Sequence, residues 1–298
     1  MRYIMYNPLA NNKRGFDNAQ KVKALAPNEE YTFLDITETL DLKSFFASLS
    51  ETDMFILCGG DGTLNRFANY IGNDIPNFDI HYFPTGSGND FMNDISQNEK
   101  DILPTINKYL IDLPVVTVNG KDYRVINGVG FGIDGYCCEE GDAVQRKNSK
   151  PVNYTAIALR GLLWKYKPTS ARVTVDGVTT EYKKVWMVPT MNGRFFGGGM
   201  KVMPLQNRLN SEHSISGLVA FKSSRLKLLL NFPKIFKGNH MNLSIVSPFT
   251  CHEVTVEFDS PRALQIDGET IQNVSSYTMR SSVAIKKAFE LKSEIAAV

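Results

Sequence analysis

The run Gly59-Gly60-Asp61-Gly62-Thr63 has the residue types of a phosphate-binding turn. Its three glycines leave no side chain between backbone N–H groups and an anion, and they accept the positive φ of a tight turn. Residues 53–58 before it read as a buried apolar strand, and Leu64 to Ile71 reads as a helix. A helix starting there aims the positive end of its dipole at the same point. Thr63 offers a hydroxyl and an N-cap, while Asp61 places a carboxylate where Mg²⁺ or a substrate hydroxyl can be engaged. A second turn, Phe83-Pro84-Thr85-Gly86-Ser87-Gly88-Asn89-Asp90, follows another short apolar strand. Asn89 and Asp90 suit the cap of the helix after it. Two such turns on neighbouring strands build a nucleotide site at the edge of an open α/β sheet.

A third constellation lies far downstream. Asp267-Gly268-Glu269 follows the apolar run 263–266, which holds two carboxylates at a strand end, where either can accept a proton. Asp267-Gly268 equally fits a plain hairpin turn.

The elements that must position these groups change character along the chain. Residues 1–115 alternate short apolar strands (Arg2–Tyr6, Tyr31–Ile36, Asp53–Cys58) with helical spacing over about 17–26 and 41–49. That order predicts an α/β N-terminal nucleotide-binding domain with an open, mostly parallel sheet. Beyond Pro114, segments such as Val115–Val118, Ala171–Val175, Lys184–Val188 and Val254–Phe258 are β-branched and alternating, and Asn119-Gly120 and Asp176-Gly177 mark hairpins. A C-terminal β-sandwich domain over 116–284 is expected, interrupted by a helix near Val152–Trp164. The tail, 285–298, is expected to return to the first domain.

Bulk numbers exclude several classes. At 298 residues with 43% hydrophobic and 21% charged residues, the chain has globular composition with no apolar run long enough to cross a membrane. The N-terminus lacks the pattern of a secretory signal, and Cys58, Cys137, Cys138 and Cys251 match no disulfide or zinc spacing. A cytoplasmic protein is expected. The net charge of +2 divides unevenly: residues 1–115 hold 9 Lys and Arg against 16 Asp and Glu, and the remainder 24 against 15. In the basic half, Lys222, Arg225, Lys227, Lys234 and Lys237 interleave with leucines and phenylalanines, a composition suited to an anionic membrane surface or to a helix covering the sandwich. No nucleic-acid module is present.

Taken together, GGDGTLN at 59–65 and PTGSGNDF at 84–91 resemble the diacylglycerol kinase catalytic family, which includes bacterial lipid kinases and sphingosine kinases. Asn7-Pro8 with Lys13, Asn127 to Asp134, Asn192 with Gly197-Gly198-Gly199 and Pro204, and Asp267-Gly268-Glu269 continue the likeness in order, from residue 7 to 269. The resemblance implies ATP and Mg²⁺ in a cleft between two domains and phosphorylation of a lipid hydroxyl. By position, Asn7, Thr37, Gly59, Gly60, Asp61, Gly62, Thr63, Asn65, Gly86, Ser87 and Asn89 would serve the nucleotide. Glu269 would be the proton acceptor, with Asp267 its rival and Asp61 a further catalytic carboxylate.

Four positions depart from the family's pattern. Asn11 and Arg66 stand where a glycine and an acidic residue are usual. Ile215 and Ser216 replace the acidic pair that holds a structural Mg²⁺, and neutral groups cannot hold a hard dication as carboxylates do. Two alternatives therefore stand beside the lipid kinase: a family member that binds nucleotide or lipid without turnover, and a soluble-substrate kinase of the NAD-kinase type. The lipid's identity has no sequence signature. Homodimerisation and peripheral attachment at the inner membrane face both stay open.

Overall fold

Phe55, Ile56, Leu57 and Cys58 are buried in succession, as a strand covered on both faces requires. A computed structural model describes residues 1–38, 41–96, 101–147 and 152–296. The chain divides into two units, Met1–Ile111 and Asp112–Val298.

In the first unit, β1 (Arg2–Tyr6), β2 (Tyr31–Asp35), β3 (Met54–Gly59) and β4 (Ile80–Pro84) form one sheet in the order β2-β1-β3-β4. Every pairing is parallel, as the sequence predicts. The helical segments are α1 (Ala10–Lys13), α2 (Gly15–Ala19), α3 (Leu42–Ala47), α4 (Asp61–Ile71), α5 (Asp90–Ile95) and α6 (Asn107–Leu110). The helix expected over 17–26 is α2 followed by a 3-10 turn, Gln20–Leu25. Asp41 caps α3 by accepting from Ser44 N at 3.2 Å. Edge-to-face rings, Phe46 on Phe55 and on Phe78, fill the space between α3 and the sheet.

The second unit is largely one antiparallel sheet. Its strands are β5 (Val115–Val118), β6 (Lys121–Arg124), β7 (Gly128–Gly132), β8 (Thr169–Val175), β9 (Val178–Val185), β10 (Met187–Met191), β11 (Phe195–Phe196), β12 (Met200–Lys201), β13 (Ile215–Ala220), β14 (Val246–Cys251), β15 (Glu253–Ile266) and β16 (Glu269–Arg280). The main path runs β14-β13-β10-β7-β15-β16-β5-β6, while β8 and β9 extend from β15, and β11 pairs only with β12. The long β15 pairs with β8 through Val254–Phe258 and with β7 through Leu264–Ile266, so one strand serves both halves of the sandwich. Between them lies a core that includes Phe131 stacked on Phe258 at 4.0 Å.

The helices of this unit are α7 (Ile133–Lys147), α8 (Tyr154–Arg160), α9 (Arg225–Asn231) and α10 (Ser282–Ala296). α8 runs into a π-helical turn at Gly161–Lys165, in the expected interlude, and α9 into a 3-10 turn at Phe232–Lys237 where Pro233 falls. Two features differ from the sequence reading. α7 is a long helix where only a motif was read. The closing helix α10 clusters with this second unit, where Lys286 pairs with Asp112 at 3.0 Å.

Candidate functional site

The expected nucleotide residues of the first unit gather at the carboxyl edge of its sheet. Asn7 ends β1, Thr37 follows β2, Gly59 to Thr63 follow β3, and Thr85 to Asn89 follow β4. In a parallel sheet these loops share one edge, which is where such folds bind ligands. Asn7 Oδ1 accepts from Leu9 N, and Asp35 Oδ1 accepts from both the N–H and the hydroxyl of Thr37 at 2.7 Å, which fixes the first two loops. Asn11, in place of the family's glycine, has φ +51, and asparagine is among the residues that tolerate that conformation.

The two glycine-bearing turns touch through backbone. A Cβ on Gly86 would stand 2.6 Å from Gly60 Cα, and one on Gly60 would stand 2.8 Å from Gly86 Cα. Only glycine on both sides permits this approach. The buried Tyr82 hydroxyl donates to Gly59 O at 2.9 Å, and Thr85 N donates to the same carbonyl. Asn89 closes the second turn by accepting from Gly86 N and donating to Gly86 O. The opening N–H groups of α4 have no acceptor within the helix, so the joined loops present donors to an anion. Ser87 and Arg66 are exposed, whereas Thr63 is buried under the loop.

Asp61 has a task the sequence did not reveal. Its Oδ2 accepts from Asp90 N at 2.9 Å and its Oδ1 from Phe91 N at 2.8 Å. The carboxylate expected to face Mg²⁺ or a substrate hydroxyl also caps α5 from 29 residues away. Asn89, the expected cap, sits in the left-handed region at φ +49 and makes no side-chain cap.

In the second unit, Asp267-Gly268-Glu269 joins β15 to β16. Asp267 at φ +48 and Gly268 at φ +91 make the two-residue turn with both φ positive that antiparallel strands favour. The buried Asp267 carboxylate accepts from Ile126 N at 2.6 Å, Asn127 N at 2.7 Å and Gly128 N at 2.9 Å. Three backbone donors hold its oxygens, so Asp267, expected as a rival of Glu269 for the proton, also anchors the turn. Glu269 is exposed at the start of β16 and makes no hydrogen bond or ion pair among the described residues.

Beside this hairpin lies a group of buried polar atoms that sequence reasoning missed. Asp134 opens α7, fully buried, with neither carboxylate oxygen hydrogen-bonded among the described residues. Burial pushes its carboxyl up to about 7. A side chain on Gly130 would begin 1.7 Å from Asp134 Oδ2 and 2.7 Å from Gln265 Nε2, so both polar groups face one spot. Gln265 Nε2, Tyr166 OH, Arg262 Nε and Thr270 Oγ1 are equally buried and unpartnered. The Arg262 guanidinium lies 5.3 Å over the Tyr166 ring, and Thr270 also lines a surface pocket with Asp142, Gln145, Arg146 and Gln272. Buried polar atoms are ordinarily paired, so this many orphans in one place mark a ligand or water site. Of this group the sequence reading singles out only Asp134, as the end of the Asn127–Asp134 motif.

The segment that lacks the acidic pair is held by neutral groups and one cation. Ser216 donates to Gln206 Oε1 at 2.6 Å, and Gln206 Nε2 donates to Ser214 O at 2.9 Å. Asn210 accepts from Ser214 N at 2.8 Å, and Arg208 donates to Ile126 O and to Asn127 Oδ1. No group of three or more metal-ligating side chains occurs among the described residues. A hard dication does not fit an amide–hydroxyl network that already contains a guanidinium.

Comparison with known proteins adds two domain assignments. The profile of the diacylglycerol kinase catalytic domain matches residues 2–115, and that of the YegS C-terminal NAD kinase beta sandwich-like domain matches residues 127–284. A diacylglycerol kinase of Mycobacterium tuberculosis is 29% identical over 224 residues, covering 69% of this chain and 67% of its own. One from Bacillus subtilis is 24% identical over 230 residues, covering 75% and 73%. A crystal structure of a diacylglycerol kinase from Bacillus anthracis superposes with a TM-score of 0.57 at 17% identity, covering 94% of each chain, a likeness of fold.

Proposed function

Because the chain belongs to the diacylglycerol kinase catalytic family and carries the β-sandwich domain that goes with it, we propose that it transfers the γ-phosphoryl group of ATP to a hydroxyl of a membrane lipid. The observation that carries the reading is the division of labour on one hairpin. Asp267 anchors the turn while Glu269 stays exposed and uncommitted, as an acceptor for the substrate hydroxyl's proton must be.

Phosphoryl transfer asks the protein mainly for positioning and charge stabilisation. In this reading the first unit supplies the phosphate cradle. Gly60 and Gly86 bring the two turns together, Asp61 locks them, and the start of α4 directs N–H groups at the phosphates. Mg²⁺ held with the nucleotide phosphates would supply charge neutralisation there. The second unit supplies Glu269 as proton acceptor, and the polar atoms around Asp134 and Gln265 hold the acceptor's headgroup. Neither role needs the structural metal whose carboxylates are missing.

The test is transfer of label from γ-labelled ATP to acceptors in mixed micelles, with diacylglycerol, a sphingoid base and soluble NAD offered in parallel. Label in a lipid product supports the reading. Label in NAD alone favours the soluble-substrate kinase, and nucleotide binding without transfer to any acceptor favours the inactive binder.

A further inference from the structure

Two short helical segments of the second unit carry large apolar side chains that face solvent. α8 and α9 each bury no residue fully. Trp164 is 65% exposed, Leu226 67% and Leu230 71%, with Leu159, Leu163 and Phe236 also exposed. Leu159 and Leu163 are four residues apart, as are Leu226 and Leu230, so each pair lies along one side of its helical segment. On the opposite side, Leu228, Leu229 and Phe232 pack against the core. The outward leucines are therefore left over from anchoring the helix.

The two segments form one surface because Arg225 binds them together. Its Nη1 donates to Leu162 O at 2.8 Å and to Gly161 O at 3.3 Å, and its Nη2 to Tyr166 O at 2.9 Å. The same guanidinium lies 5.3 Å over the Trp186 ring. It thus binds carbonyls at the start of the π-helical turn and just past its end, and fixes that turn against α9.

The charge on this surface has one sign. Residues 154–167 and 222–237 together hold eight Lys and Arg and no Asp or Glu. Lys165, Lys222, Lys227, Lys234 and Lys237 are exposed. The acidic groups near α8 belong to other elements, Glu139, Glu140 and Asp142 to α7, against which α8 packs, and Glu269 to β16. Exposed leucines and a tryptophan among lysines, with no anion to pair them, complement a surface that is apolar below and negatively charged above.

We propose that α8, the Gly161–Lys165 turn, α9 and the Phe232–Lys237 turn form a single docking face for an anionic lipid bilayer. Trp164, Leu226 and Leu230 enter the headgroup boundary, and the lysines meet the lipid phosphates. No helix among the described residues is long and apolar enough to cross a membrane, so attachment through this face is peripheral. Docking in this form needs neither ATP nor an acceptor lipid, and it stands or falls apart from the kinase reading.

The experiment is co-sedimentation of the full chain with vesicles of phosphatidylcholine alone and of phosphatidylcholine mixed with phosphatidylglycerol, without nucleotide. At low salt the wild type partitions at least tenfold better onto the anionic vesicles, and raising the salt reverses most of that gain. Trp164 emission shifts to the blue on binding, a shift absent in Trp164→Ala. Leu226→Ser/Leu230→Ser and Lys227→Glu/Lys234→Glu each weaken partitioning at least tenfold. Both keep the wild-type unfolding midpoint and the wild-type circular dichroism spectrum. Equal binding to both vesicle types, or variants that sediment like the wild type, overturns the proposal. So does concentration-dependent dimerisation without vesicles that the leucine variant abolishes, which would make the face a contact between copies of the chain.

Discussion

Asp267 and Glu269, two residues apart on one hairpin, face opposite environments: three backbone N–H groups enclose the first carboxylate, and solvent surrounds the second. A buried carboxylate with that many donors holds its neighbours in place. An exposed one beside a cluster of orphaned polar atoms is free to take a proton. Substitution should separate the two roles.

Asp267→Asn removes the charge that three donors share and can satisfy only part of the set. Hydrogen bonds to a charged group contribute about 1.5–3 kcal/mol each, so a loss of several kcal/mol in unfolding free energy is expected. Denaturant titration measures it. A variant that keeps wild-type stability and loses only turnover would return Asp267 to the chemistry.

Asp61→Ala cuts the tie between the two glycine turns. ATP affinity, measured calorimetrically, should fall at least tenfold, because the cradle loses its alignment along with about 1.5–3 kcal/mol per lost bond. Unchanged ATP affinity with abolished transfer would mean that Asp61 acts directly on the reacting groups.

Gly86→Ala tests the contact between the turns. A methyl group 2.6 Å from Gly60 Cα and 2.8 Å from Asn89 Oδ1 cannot be accommodated without parting the loops. The variant should remain folded by circular dichroism and bind ATP at least tenfold more weakly. Wild-type ATP binding would show that the loops need not touch.

Asp134 predicts the sign of a pH effect. Its carboxyl titrates near 7 in the folded protein and near 3.8 when unfolded, so the native state holds the proton more tightly. Its contribution to stability is full below about pH 4 and declines as pH rises through 7, at about 1.4 kcal/mol per unit of pKa difference. Asp134→Asn should match the wild type at pH 4 and exceed it by a few kcal/mol at pH 8. Unfolding titrations at the two pH values settle it, and a wild type more stable than the variant at pH 8 contradicts it.

Arg208 ties the 204–216 segment to Ile126 and Asn127. Excess chelator should leave the unfolding midpoint of the nucleotide-free protein unchanged, while Arg208→Ala should lower stability by about 1–3 kcal/mol through its lost bonds to Ile126 O and Asn127 Oδ1. Destabilisation by chelator would restore a structural cation to this segment.

The parallel sheet and both glycine turns were legible because continuous apolar runs and clustered glycines are local signals. α7 was not, since Gly135 and Gly141 lower helix propensity. The structure needs both: a Cβ would meet Ala263 O at 2.0 Å from Gly135 and the Tyr154 ring at 2.5 Å from Gly141. Asp61 and Asp267 were legible as important, but their anchoring bonds were not, because residue type does not disclose which backbone donors lie across a turn. The cluster around Asp134 draws on residues 134, 166, 262, 265 and 270, positions with no common spacing that only strand pairing brings together.

The central claim is an ATP-dependent lipid kinase with Glu269 as proton acceptor. Its most direct test measures phosphoryl transfer from labelled ATP to lipid by wild type and Glu269→Gln side by side, at saturating ATP. General-base removal typically costs 10²–10⁴-fold. The account predicts a kcat loss of that size in Glu269→Gln, with ATP affinity and unfolding midpoint unchanged. Equal turnover by the two proteins, or a wild type that binds ATP and labels no lipid, would contradict it.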